Sequence, residues 1–176
     1  LELEVNSLER HEYIDGEIIL MIGGTPNHSQ IAVNLGGTLN YVFRRQPYRV
    51  SVADQRLWIP KKRIYTYPNV MVVQGDLQMQ EVRRDTITNP LVIAEVLSKS
   101  TKSYDRDDKF AAYRTIPTFQ EYILIDQYQV HVEQYFKTDN KRWTFTEYDD
   151  LNETLRLNSM DFEMPLVDIY DKVQFE

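Results

Sequence analysis

Apolar and polar positions change period several times along the 176-residue chain. In HEYIDGEIILM two alternating runs flank Asp15-Gly16, a dipeptide suited to the left-handed backbone of a hairpin turn. From Thr25-Pro26 the spacing lengthens. Ile31, Leu35, Leu39 and Val42 or Phe43 share one helical face as far as about Arg45, with Thr25 as cap and Pro26 in the first turn. Gly36-Gly37 weakens this helix but permits close packing. YRVSVADQRLWIP alternates as one strand, YPNVMVV is a second opened by Pro68, and a polar loop follows over about 74–89. LVIAEVL is apolar on both faces, which predicts a central strand covered on each side. DRDDKFAAYRTI predicts a helix capped by Asp105 and stopped by Pro117, and FQEYILID, QVHVEQYF and RWTFTEY read as three successive strands. An acidic, looser tail completes a pattern that predicts one α/β (α+β) domain over residues 1–176. Its core would be a mixed central sheet flanked by two main helices, with extra β-hairpins.

One residue interrupts the central strand. Glu95 falls in an otherwise apolar run, and an unpaired buried carboxylate costs several kcal/mol. Its charge must be protonated, paired with a cationic side chain, or bound to a metal ion. The strand alone leaves all three open, and a structural ion pair is the commonest of them.

Composition narrows the chemistry. There is no cysteine, so disulfide scaffolds, thiolate metal sites and cysteine nucleophiles are excluded, and a cytoplasmic protein is the default expectation. No apolar run approaches the length of a membrane span. The net charge of −7 argues against nucleic-acid binding until its distribution is examined. Residues 41–115 carry fourteen Lys and Arg against eight acids, whereas both flanking segments are acidic. Arg44, Arg45, Arg49, Lys61, Lys62, Arg63, Lys99 and Arg106 belong to this basic block, a weak footprint of nucleic acid. No Walker loop, G-x-S-x-G elbow, dinucleotide fingerprint or H-E-x-x-H occurs, and no two of His11, His28 and His131 have metal-ligand spacing. His28, at the helix start, remains a candidate ligand, base or local cap.

Antiparallel pairing of YPNVMVV with LVIAEVL would set Asn69 beside Glu95. The helix after SKSTKSYDR must return over the same sheet end, bringing Lys109 there. A carboxylate, an amide oxygen and a lysine so placed suit metal-assisted phosphodiester hydrolysis, because Mg²⁺ prefers hard oxygen ligands and keeps several waters.

YIDGEIILM, the His28-Ser29 helix start, YPNVMVV, IAEVLSKST, YDRDDKFAAYRTIP and EYILID, in this order, resemble the Uma-type bacterial family of "putative restriction endonucleases", in the PD-(D/E)XK nuclease superfamily. The resemblance implies a restriction endonuclease-like fold, hydrolysis of DNA, and Mg²⁺ or Mn²⁺ as cofactor. It implies Glu95, Asn69 and Glu17 as metal-binding residues, and Lys109 as a migrated catalytic lysine, since Leu97 occupies the usual lysine position. Asp105 and Tyr113 match family positions too. Two residues depart from the pattern. Asn69 stands where the family has Asp, and Lys99 where it has Pro. A homodimer would follow from the need to cut two strands. The alternatives are a catalytically degenerate member that binds nucleic acid or a protein partner, and an interaction module in which Glu95, Lys109 and Lys99 form a structural ion-pair network.

Overall fold

A computed structural model of the chain describes residues 10–14, 16–20, 23–81, 83–99 and 102–175. The first hairpin is formed by β1 (His11–Ile14) and β2 (Glu17–Leu20), with Glu12 opposite Ile19. Of its turn, Asp15 lies outside the described residues. Gly16 takes φ 110°, a backbone that glycine adopts without strain. Helix α1 (Pro26–Val42) begins as its sequence predicts, with Pro26 in the first turn and the His28 N–H donating to Thr25 Oγ1 at 3.2 Å. Its apolar face, Ile31, Leu35, Leu39 and then Phe43, is buried.

The stretch read as one strand from Tyr48 to Pro60 is two. Strand β3 (Tyr48–Val52) and β4 (Arg56–Ile59) lie in different sheets, because Ala53 takes φ 59° and turns the chain between them. After β5 (Ile64–Thr66) and β6 (Val70–Gln74), the segment read as a polar loop contains β7 (Met79–Gln80) and β8 (Arg83–Ile87). Next come β9 (Val92–Leu97) and the helical run α2, which is α-helical over Lys102–Tyr104, π-helical over Asp105–Lys109 and α-helical again over Phe110–Tyr113. Asp105 therefore sits inside the run and does not cap it.

Strands β10 (Glu121–Asp126), β11 (Val132–Asp139) and β12 (Arg142–Tyr148) follow as expected. The expected loose tail instead contains β13 (Thr154–Leu157), β14 (Phe162–Pro165) and the short helix α3 (Leu166–Ile169). Leu155, Leu157, Phe162, Met164, Leu166 and Ile169 are all buried there. Their burial free energy, roughly 1.5–3 kcal/mol for each large side chain, holds the acidic segment down.

The central sheet has the order β12-β11-β10-β9-β6-β3, with β9 parallel to β10 and antiparallel to β6. A second sheet has the order β2-β1-β5-β4-β8-β7, and β13 pairs with β14. The fold is thus mixed α+β, with β9 inside the central sheet as its two apolar faces predict. On one face, Val92, Ala94 and Val96 pack with α1 and the C-terminal elements. On the other, Ile93 and Leu97 pack with α2 and the second sheet.

Gly36 makes the α1 contact possible, since a Cβ there would fall 2.5 Å from Val52 Cγ2. Valine is stiff at χ1, so the collision cannot be relieved cheaply. Gly36→Ala is expected to destabilise the fold by about 1–2 kcal/mol despite alanine's better helix propensity. Urea midpoints of the two proteins check this, and a stabilised variant would disprove the close contact.

Candidate active site

Alternation along β9 decides where Glu95 points. It shares a face with Ile93 and Leu97, toward α2 and the second sheet, and is 2% exposed. The antiparallel register Val70↔Ala94 sets Asn69 next to it. The Asn69 backbone N–H donates to Glu95 Oε2 at 3.0 Å, and the Val96 N–H donates to Asn69 Oδ1 at 2.7 Å. Helix α2 supplies the other side. The Tyr113 hydroxyl donates to Glu95 Oε1 at 2.8 Å, and Lys109 Nζ lies 3.4 Å from that oxygen.

Lys109 is also 3.3 Å from Glu12 Oε1 and 3.2 Å from Asp105 Oδ1. Asp105 and Lys109 are one turn apart in the π-helical segment and face inward, while Asp107 and Asp108 face solvent. Arg106 ties this segment to β11 through a bond from its Nε to Glu133 Oε1 at 2.9 Å. Glu12 is brought in by the pairing of β1 with β5, where the Thr66 hydroxyl bonds the same oxygen that Lys109 approaches. Three buried carboxylates thus surround one ammonium. Asp105 Oδ1 has no hydrogen bond directed at it despite the nearby charge.

The structure therefore brings together Glu95, Asn69 and Lys109 of the residues predicted from sequence. It does not bring Glu17 to them. Glu17 is exposed opposite Ile14, two residues nearer the turn than Ile19. It shares a strand face with the partner of Glu12 but lies roughly 7 Å further along. Lys99 is not bonded to Glu95, and its ammonium stands 5.2 Å from the centre of the Tyr128 ring. His28 is not a cap, the cap being Thr25. Its imidazole faces the same chamber, against Asn69, Asp105 and the Val96 carbonyl. A cleft of about 580 Å³ opens onto this group, lined among others by Glu12, Gly24, His28, Asn69, Glu95 and Lys109.

Burial pushes the Glu95 carboxyl up to about 7 despite the opposing charge of Lys109. For Lys109, burial works against the charged form, but Glu95, Glu12 and Asp105 outweigh it and hold its pKa well above the ordinary value. Lys109 is thus an ammonium at any working pH. Burial also lowers the His28 pKa, so its imidazole is chiefly neutral at pH 7. Because Glu95 is raised from 4.5, the unfolded chain loses this proton before the folded protein does. Its contribution should make the metal-free fold less stable as pH rises from about 4.5 to 7, then level off. Glu95→Gln should remove that slope in urea unfolding at pH 5 and 7.5. An unchanged slope would place the titration elsewhere.

Among the described residues no three His, Asp or Glu side chains form a ready metal cage. The local donors nonetheless fit a hard cation that keeps most of its waters. A carboxylate has about four lone-pair positions. Asn69, Tyr113 and Lys109 address three of those on Glu95, and Asn69 Oδ1 has accepted one donor of a possible two. The excess of carboxylate charge around Lys109 favours a second cation nearby.

The Uma2 family, described as "Putative restriction endonuclease", matches residues 1–166. The chain belongs to this family. Two uncharacterized proteins of Synechocystis sp. are similar to this Uma2 protein: sll1609, 39% identical over 160 residues covering 91% of this chain and 90% of that one, and slr1290, 32% identical over 175 residues covering 99% and 90%. A crystal structure described as "a putative nuclease belonging to DUF820" from Anabaena variabilis ATCC 29413 has the same fold. Its TM-score is 0.77 at 17% identity, over 96% of this chain and 93% of that one. No described helix of the Uma2 protein is long and apolar enough to cross a membrane.

Proposed function

We propose that this Uma2 protein is a metal-dependent DNA endonuclease of the PD-(D/E)XK type, weakened by Asn69. The observation that carries the reading is the meeting of Glu95, Asn69 and Lys109 at one end of the β6–β9 pair, beneath an open cleft. Glu95 Oε2 and Asn69 Oδ1 would hold Mg²⁺ or Mn²⁺, while Glu12, and not Glu17, is the hairpin acid of the group and is engaged by Thr66 and Lys109. When bound, the cation would polarise a phosphate oxygen and acidify a water. Lys109 is held charged, so it serves as a donor that orients the attacking water and stabilises negative charge developing on the phosphate, and it cannot be the base. Tyr113 fixes the Glu95 carboxylate from the opposite side. A second copy of the chain would supply the cut on the other strand.

Asn69 also favours a second reading, because an amide adds no charge for a divalent ion. A degenerate member would bind DNA without cutting it, through Arg44, Arg45, Lys61, Lys62 and Arg63, all exposed. Plasmid nicking in Mg²⁺, Mn²⁺ or chelator separates the two. The nuclease reading predicts cation-dependent nicking that Glu95→Ala reduces by about 100-fold or more. Equal nicking in chelator, or by the variant, would reject it.

A further inference from the structure

We infer that His28 is a direct ligand of the cation held by Glu95 and Asn69, so that the site takes a first-row transition ion in preference to Mg²⁺. The inference rests on the metal-binding reading above and adds a nitrogen donor to it. Three features of this chain carry it. The imidazole lies within hydrogen-bonding reach of the Asn69 side chain and the Val96 carbonyl, on the side of the β6–β9 pair that carries Asn69 Oδ1 and Glu95 Oε2.

The ring also has a seat made for it. A Cβ on residue 24 would fall 2.7 Å from His28 Nδ1 and 3.0 Å from its Cγ, so only glycine at that position lets the imidazole lie over the turn. The first turn of α1 is fixed in turn by the Thr25 cap and by the bond between the Thr25 hydroxyl and Gln127. These contacts hold the histidine at the cleft wall, where Gly24, Thr25, His28, Asn69 and Glu95 all line the same space.

Donor chemistry supplies the third feature. With an amide at position 69, Glu95 is the one carboxylate of the proposed ligand pair. Mg²⁺ is poorly served by such a set, because it relies on carboxylate charge and accepts nitrogen reluctantly. Imidazole restores affinity selectively for transition ions, whose binding to nitrogen-containing sites strengthens along the first row. The substitution at 69 and the histidine at 28 thus shift the site in the same direction.

Mn²⁺ is the probe, used on the whole metal-stripped chain. Electron spin-echo spectroscopy of the Mn²⁺-loaded protein should show coupling to a directly bound ¹⁴N, and His28→Gln should abolish it. Calorimetry should show the Mn²⁺ affinity of His28→Gln falling about tenfold or more while Mg²⁺ binding changes little. Mn²⁺ bound without nitrogen coupling, or coupling that survives His28→Gln, overturns the inference and leaves the nuclease reading standing. No Mn²⁺ binding by the native chain overturns both. The native spectrum needs no variant, so a misfolded His28→Gln protein would not spare the proposal.

Discussion

Replacing Lys109 by Met should destabilise the protein by about 3–5 kcal/mol at pH 8, the usual range when one partner of a buried ion pair is removed. The effect is large because this ammonium serves Glu12, Glu95 and Asp105 at once, at 3.2–3.4 Å. All four groups are almost fully buried, so water cannot take the place of the lost charge. The loss should also depend on pH. Without Lys109, Glu95 loses the charge that opposes its desolvation, and its folded pKa rises further above that of the unfolded chain. The deficit is then greatest at high pH and shrinks as pH falls toward the ordinary carboxylate range. Urea unfolding of native and Lys109→Met proteins at pH 8 and pH 5 measures both parts. A deficit below 1 kcal/mol, or one that grows on acidification, would mean that the lysine does not neutralise this cluster.

The same cluster shows what sequence could and could not convey. Asn69 and Glu95 were legible because two short apolar strands joined by a polar segment pair antiparallel, and the register then follows from their ends. Lys109 was legible from its place in α2, one turn after Asp105. Glu12 was not. It and Glu17 both lie in the first hairpin, and local alternation cannot say which one meets the site. The pairing of Tyr13 with Tyr65 decides it, and that is a long-range contact between β1 and β5. His28 was visible at a helix start as a candidate ligand, base or cap, with nothing to set it beside Glu95. Its seat depends on Gly24 and on how α1 lies against the sheet end.

Two departures of the fold from the sequence pattern have equally specific causes. The alternation of YRVSVADQRLWIP runs on through Ala53, and nothing in alanine announces a positive φ. The acids of the tail suggest a loose segment, although TLRL and FEMP each carry a period-two apolar pattern that marks β13 and β14. Charge described the exposed faces of those strands, and the buried Leu155, Leu157, Phe162 and Met164 decided where they fold.

The second large effect is expected at position 69. The amide oxygen of Asn69 already faces the proposed cation site, and its backbone N–H holds Glu95 Oε2 independently of the side chain. Asn69→Asp changes charge at nearly constant shape. It should leave the Glu95 contact in place and raise divalent affinity by about tenfold or more, since hard cations are held mainly by carboxylates. In the metal-free protein the added charge joins the buried carboxylates of Glu95 and Asp105, which outweigh the His28 imidazole beside it, so the variant should be less stable without cation and regain stability on its addition.

DNA cleavage by that variant shows whether Glu95, Asn69 and Lys109 form a nuclease site. Single-turnover nicking of plasmid DNA by the native chain and Asn69→Asp, each across a titration of Mn²⁺ and Mg²⁺, should show Asn69→Asp cutting about tenfold or more faster at limiting cation. An Asn69→Asp protein that binds the cation yet leaves varied DNA substrates intact would contradict a nuclease site at Glu95, Asn69 and Lys109.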